Sequence, residues 1–346
     1  MAILSVQLGT TSTSFLMYKS ANDYSYYYYP YSYSPVFVNT DKKEFYIEVF
    51  DVISGQMGMN HTECELILTN VFDYSLGDYP VKSAHHVTKV LSNIKNYDYF
   101  YVDPYTLIQG DQFLSAYPYN PASNIFRLNE MEKFNYLANS ALYINSVPDK
   151  DFDIFDRDDI TRFLSEQLPT PPRRNNKVIF TGDRFATLHS SKSLSYLLAI
   201  DLIKQPGIYE IYVDCCNSLV CASHLEMYSK SAEHLVDNLN LLFVGNLINA
   251  PGGVECLIRT SVGTSQMLQF HTEGLQILPL EKDNATNLVV KHQSISSVDK
   301  SVKGGELGLI VDTRQKASTL ATTDAETRHK KYRDWQHTIQ ETLTEL

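Results

Sequence analysis

Ala2-Ile3-Leu4-Ser5-Val6-Gln7-Leu8-Gly9-Thr10-Thr11-Ser12-Thr13-Ser14-Phe15-Leu16-Met17-Tyr18 is an apolar run that halts at a glycine, crosses five small hydroxyl residues and resumes as a second apolar run. The pattern predicts a strand, a tight hairpin and a second strand. Gly9 permits the turn, and the hydroxyls crowd its tip. Backbone N–H groups in such a turn can form a concavity for an anion.

Past the hairpin, Tyr24-Ser25-Tyr26-Tyr27-Tyr28-Tyr29-Pro30-Tyr31-Ser32-Tyr33-Ser34-Pro35 alternates tyrosine with serine. It reads as an aromatic ribbon or a low-complexity loop, with a partner surface as the functional alternative. Glu44 to Val52 alternates like a strand, and Glu65 to Phe72 is a strand or a helix. Val81 to Ile94 has helical spacing, Tyr97 to Val102 reads as a strand, and Glu132 to Ser146 again has helical spacing. Pro169 to Asn176 is the clearest break in the chain. Beyond it strand (178–180), helix (191–203), strand (208–213) and helix (222–239) alternate, which indicates an α/β layer with parallel pairing. After residue 240 short β runs dominate, then a helix over 324–345 with Tyr332, Trp335 and Ile339 on one face. The chain is expected to divide into a first lobe over 1–168, an α/β second-lobe segment over 177–240, and a β-rich region with a terminal helix over 241–346.

A net charge of −11 over 346 residues argues against a dedicated nucleic-acid binder, because phosphate neutralisation needs concentrated Lys and Arg. No run approaches the ~18–20 apolar residues needed to span a bilayer. The start lacks the basic region of a signal peptide, and five irregularly spaced cysteines make no disulfide framework. A cytoplasmic protein is expected. Cys215-Cys216, Cys221 and His224 fit none of the common zinc spacings, so buried filler is the simpler reading. The aspartates from Asp151 to Asp159 lack the glycine and terminal Glu of a calcium loop. Gly252-Gly253 and Gly304-Gly305 lack a phosphate-loop context and read as turns.

The amino-terminal hairpin is similar to the phosphate hairpins of actin-like ATPases, written Asp-x-Gly followed by hydroxyl residues. Further segments resemble, in colinear order, the MutL family associated with glutamate mutase, an actin-like group: Val52-Ile53-Ser54-Gly55-Gln56-Met57-Gly58-Met59-Asn60, Val178 to Ala186 around Thr181-Gly182, and Lys303-Gly304-Gly305-Glu306-Leu307-Gly308-Leu309-Ile310-Val311-Asp312-Thr313-Arg314. The resemblance implies truncated actin-like (ribonuclease H-like) lobes matched to the carboxy-terminal portion of that family. In this register the hairpin at 2–18 is the second of two phosphate hairpins and the first lies outside the chain. In the alternative register it is the first, and Tyr101-Val102-Asp103-Pro104-Tyr105-Thr106 is a remnant of the second.

The same resemblance implies that Gly9, Thr10, Thr11 and Thr13 would hold phosphate, with Gly182 near adenosine. Gln7 and Gln56 stand where the family has Asp, Asn60 stands where Arg is expected, and Asp183 replaces a glycine. Exchanging Asp for Gln removes a hard-oxygen ligand for Mg²⁺, so ATP hydrolysis is expected to be weak or absent and no catalytic or metal-binding residue is assigned. The leading expectation is a non-catalytic pseudo-ATPase that binds a protein partner or itself, without cofactor, nucleic acid or membrane span. The alternative, with ATP and Mg²⁺ as cofactors, is an ATP-dependent chaperone or reactivating factor for a cobalamin-dependent mutase.

Overall fold

The computed structural model describes residues 2–9, 12–29, 50–51, 55–56, 58, 63–71, 80–103, 106–110, 112–115, 158, 161–162, 164–166, 176–186, 192–259, 264–270, 273–282, 285–316 and 325–345. The expected strand at 44–52, the expected helix at 132–146 and the tyrosines beyond 29 lie largely or wholly outside these residues.

The opening hairpin forms as its pattern requires. Strands β1 (Ile3–Leu8) and β2 (Thr13–Ser20) pair antiparallel, with Leu8 opposite Thr13. The tyrosine run continues as β3 (Asp23–Tyr29), antiparallel to β2. Strand β4 (Glu65–Asn70) returns parallel to β1, and β5 (Val81–His86) lies parallel to β4. The sheet order is therefore β3-β2-β1-β4-β5. The expected helix over Val81–Ile94 is corrected here: its first half is strand β5, because ladder pairing to β4 outweighs a helical spacing of apolar residues. Only α1 (Val87–Leu91) is helical, and His86, expected to lie within the helix, is its N-cap and accepts from the Thr88 N–H.

The same order recurs. Strands β6 (Asp98–Asp103), β7 (Thr106–Gln109) and β8 (Gln112–Ser115) form an antiparallel meander, β9 (Lys177–Thr181) lies parallel to β6, and β10 (Gly207–Val213) lies parallel to β9. Reading β8-β7-β6-β9-β10 reproduces the order and directions of the first sheet. The molecule carries two copies of one ribonuclease H-like sheet, the architecture that the resemblance to actin-like ATPases implies. This second copy corrects the leading register. The hairpin at 2–18 opens the first repeat, the antiparallel pair β6–β7 opens the second, and both lie within the chain. The sheets divide between β5 and β6 and not at the proline stretch, because β6, β7 and β8 pair into the sheet of β9.

The second sheet is extended by β11 (Leu242–Asn249), β17 (Gly308–Asp312) and β14 (Leu275–Leu278). Between β11 and β17 the chain makes a separate sheet from β12 (Val254–Arg259), β13 (Ser265–Phe270), β15 (Thr286–His292) and β16 (Ile295–Val302), in the order β13-β12-β15-β16. Gly304 and Gly305 permit a close crossing: a β-carbon on Gly305 would meet the Phe243 carbonyl oxygen at 2.7 Å.

Helices fill the layers, and the four-residue α2 (Asp183–Ala186) follows β9. α1 and α4 (Leu219–Tyr228) pack together between the two sheets around Ile67, Val87, Val90, Tyr101, Ile179 and Leu225. The expected helix over Ala222–Leu239 ends at Tyr228 and gives way to two single 3₁₀ turns, with His234 at φ +67 between them. α3 (Lys192–Leu202) and the terminal α5 (Ala325–Glu345) cover the far face of the second sheet. A buried ion cluster fastens α5. Arg314 pairs with Asp312 at 2.7 Å and Asp201 at 2.9 Å and stacks on Trp335, while Arg162 pairs with Asp201 and stacks on Tyr332. Burial would raise the Asp312 pKa, but Arg314 and Lys316 outweigh it and hold the carboxyl well below its usual range.

Candidate functional site: the cleft between the hairpins

The doubled topology brings the two hairpins face to face, with the end of β9 between them. On the first-lobe side Gly9 donates its N–H to the Ser12 carbonyl at 2.9 Å, closing the turn. A β-carbon at Gly9 would lie 2.9 Å from that oxygen, so the turn accepts only glycine there. Thr13 is the buried first residue of β2, while Thr10 and Thr11 lie outside the described residues.

Gly182 ends β9 at φ +101, and its α-carbon packs on the second hairpin's strand. A β-carbon would fall 2.7 Å from the Val102 nitrogen and 2.8 Å from its carbonyl carbon. The Gly182 N–H donates to Asn217 Oδ1 at 3.2 Å. Gly9 and Gly182 therefore come together where the two hairpins meet, joined through Asp183. The carboxylate oxygens of Asp183 stand 3.5 Å from the point where a side chain on Gly9 would begin, and the Ser12 hydroxyl donates to one of them. Asn217 Nδ2 donates to the same oxygen at 3.3 Å.

The deeper part of the cleft is also a hydrogen-bonded chain. Gln7 Nε2 donates to the Tyr101 hydroxyl at 2.8 Å, which donates to Asp103 Oδ2 at 2.7 Å, while Asp103 Oδ1 accepts the Asp183 N–H at 3.0 Å. All four residues are buried. Burial and then the Asp103 and Asp183 charges push the Tyr101 phenol well above its usual pKa, so it stays a donor. Tyr28 of β3 reaches toward the same carboxylates, and burial and then Asp183 raise its pKa too. Asp214, at the end of β10, accepts from the Thr181 hydroxyl at 2.8 Å and from the Leu219 N–H at 2.8 Å, where it anchors the start of α4.

Mg²⁺ and a triphosphate are what the fold implies for this cleft, and the residues present do not fit them. A carboxylate rests on the Gly9 turn where phosphate oxygens would need N–H groups and positive potential. An amide occupies the position from which an acid would orient a cation, and it is already engaged with Tyr101. The site's chemistry is that of a neutral-donor network holding two buried carboxylates between the lobes.

Asp103 is the participant that the leading sequence register missed. Its signal is the strand Tyr99-Phe100-Tyr101-Val102 running into Asp103, obscured because Pro104 is a poor fit where such a hairpin has glycine. His224 belongs to the lobe contact: it is fully buried, with Nδ1 2.8 Å from the Thr69 hydroxyl and Nε2 3.1 Å from that of Ser83. Cys221 donates to the Ser14 carbonyl, and burial pushes its thiol up to about 12. No group of three His, Cys, Asp or Glu side chains disposed for a metal occurs among the described residues.

The sequence matches no family model, and no curated protein matches it. Among solved structures the chain is similar to the activator of the 2-hydroxyisocaproyl-CoA dehydratase from Clostridium difficile with bound ADPNP. The identity is 13% and the TM-score 0.38, over 69% of this chain and 98% of that one. The fold assignment rests on the repeated strand order. No helix among the described residues is long and apolar enough to cross a membrane.

Proposed function

We propose that this protein is a non-hydrolysing actin-like pseudo-ATPase whose lobes are held closed by its own side chains, and that it acts as a cytoplasmic protein-binding or scaffolding component. The observation that carries this reading is the seat of Asp183 on the Gly9 turn, tied by Ser12 and Asn217. In a nucleotide-gated clamp the ligand joins the two hairpins. Here Ser12–Asp183 and Gln7–Tyr101–Asp103 join them instead, supported by Tyr18 donating to the Ser231 carbonyl and Ser5 to that of Cys221. A lobe contact that needs no ligand has no ligand-driven state to switch. The closed body then serves as a rigid carrier for surfaces on the added sheet of β12–β16. The tyrosine face of β3 is partly consumed by the fold, since Tyr26 packs into the interlobe core and the Tyr26 and Tyr28 hydroxyls are buried.

Isothermal titration with Mg²⁺-ATP tests the reading, and no binding heat at tens of micromolar protein is expected. One observation favours a second reading. Asp103 keeps the acid of the second hairpin, as an ATP-dependent chaperone or reactivating factor for a cobalamin-dependent mutase, of the kind the MutL resemblance implies, would require. Mg²⁺-dependent binding and turnover, both lost in Gly9→Val, would select that reading and end the first.

A further inference from the structure

Three buried oxygens in the seam between the lobes, Gln7 Oε1, Ser14 Oγ and Thr106 Oγ1, have no hydrogen-bond partner among the described residues. Their residues are 0%, 2% and 1% exposed, so bulk water does not serve them. An unpaired buried oxygen is costly, and in a native interior it usually marks a bound water or ion. The three are not scattered. Gln7 of β1 is opposite Ser14 of β2, and Ser14 is opposite Tyr28 of β3, so these side chains share one face of the first sheet. That face looks at the second lobe: Gln7 Nε2 reaches Tyr101 there, and Ser12, two residues before Ser14, reaches Asp183. The Tyr28 hydroxyl is buried at the end of the row. From the other side, Thr106 of β7 is opposite Asp103 of β6 and shares its face.

The chemistry of this set restricts the guest. An amide oxygen only accepts, and a hydroxyl can offer its lone pairs while turning its proton elsewhere. Asp103 and Asp183 stand beside the row as buried carboxylates and give the seam negative potential. The donors described above for them, Ser12, Asn217, Tyr101 and the Asp183 N–H, are all neutral. Neutral oxygens around a negative seam suit a cation of low charge density. Mg²⁺ dehydrates reluctantly and demands a near-ideal octahedron. K⁺ exchanges its hydration shell for uncharged oxygens, and ammonium donates to the same acceptors.

We propose that the seam holds a monovalent cation of the potassium–ammonium class, bound by Gln7 Oε1, Ser14 Oγ and the Tyr28 hydroxyl of the first lobe and by Thr106 Oγ1 of the second. The proposal rests on the closed-cleft reading and deepens it. An ion across the seam adds to contacts that side chains already make, and it supports no hydrolysis. It also gives partners to the oxygens that the Gln7–Tyr101–Asp103 chain leaves over.

Thermal midpoints in ~100 mM KCl, NH₄Cl, LiCl and choline chloride, which screen charge equally, test the proposal without nucleotide. KCl and NH₄Cl should raise the midpoint of the intact chain by about 2–4 °C over choline chloride, saturably, and LiCl should not. Ser14→Ala and Thr106→Val each delete one of the unpaired hydroxyls and should at least halve that rise. In choline chloride neither variant should melt lower than the intact chain, because each loses only a hydroxyl that had no protein partner. Equal midpoints in KCl and choline chloride would mean that water alone fills the seam. That result, an equal rise in every salt, or a rise that both variants keep would each overturn the proposal. Should the variants fail to fold, Tl⁺ NMR of the intact chain decides: a bound signal displaced by K⁺ is expected, and no bound signal would overturn it. Mg²⁺-ATP titration in choline chloride reads the closed cleft separately, since binding heat there ends that reading whatever the salts show.

Discussion

The two hairpins occupy equivalent places in the two sheets, yet they carry different residues at their ends. The first has a glycine turn at Gly9 and the amide Gln7 before it. The second has the acid Asp103, paired with Thr106, and the sequence between them, Pro104-Tyr105, contains no glycine. A phosphate clamp needs both properties on both sides, a turn of free N–H groups and a carboxylate to fix the cation. With the halves divided between the lobes, the complementary groups bond each other: Gln7 reaches Asp103 through Tyr101, and Ser12 holds Asp183.

The comparison breaks most severely at Gly182, where the second lobe's strand end lies against its own hairpin. Gly182→Val would force a β-branched side chain into φ +101 and into the Val102 backbone. A loss of at least about 4 kcal/mol of unfolding free energy is expected, or failure to fold. Chemical denaturation followed by circular dichroism reads it, and a stable variant would mean that the β6–β9 contact is not as close as described.

A second asymmetry is the way α4 reaches the first sheet through a neutral imidazole. Burial, then the His85 and Lys89 charges, lower the His224 pKa to about 4. An unfolded histidine titrates near ~6.5, so the unfolded chain takes up a proton that the folded one refuses. The sign follows: stability from this group is fully present above about pH 6.5 and is lost as pH falls toward 4. The loss is about 3 kcal/mol over that interval. His224→Gln removes the titration. The stability difference between the intact protein and His224→Gln should therefore shrink as pH falls from 7 to 4, as read by urea unfolding at both ends. A difference independent of pH would show that His224 charges freely in the fold.

Much of this arrangement is legible in the residues, because local pattern and tertiary pairing agree there. The hairpin at 2–18, the strands at 178–180 and 208–213, and the helices at 191–203 and 324–345 follow from periodicity and turn chemistry. The second repeat was hidden for a physical reason. Its meander β6–β8 is separated from β9 by about sixty residues of chain, and a parallel partner that distant leaves no local signal. The same holds for β5, whose apolar residues sit at helical spacing while its backbone groups are claimed by β4. The contents of the cleft were half legible. The missing acid at Gln7 and the added one at Asp183 stand in the sequence, but their use of Tyr101 and Ser12 as partners depends on which hairpin faces which.

Restoring the acid to the first hairpin sharpens the contrast with the smallest expected effect. Gln7→Asp puts a carboxylate in the buried cleft already holding Asp103 and Asp183, shortens the side chain by one methylene and removes the amide that donates to Tyr101. Without metal the cost is about 2 kcal/mol, from a buried charge and a phenol left without its donor. Three carboxylates converging from Gln7→Asp, Asp103 and Asp183 would, however, make a hard-oxygen set of the kind that takes Mg²⁺ or Ca²⁺. The variant should therefore regain part of the loss in millimolar divalent cation, while the intact protein's thermal midpoint stays indifferent to it. If both respond alike, Gln7 is not what separates the first hairpin from the second, and the division of labour between the lobes is wrong.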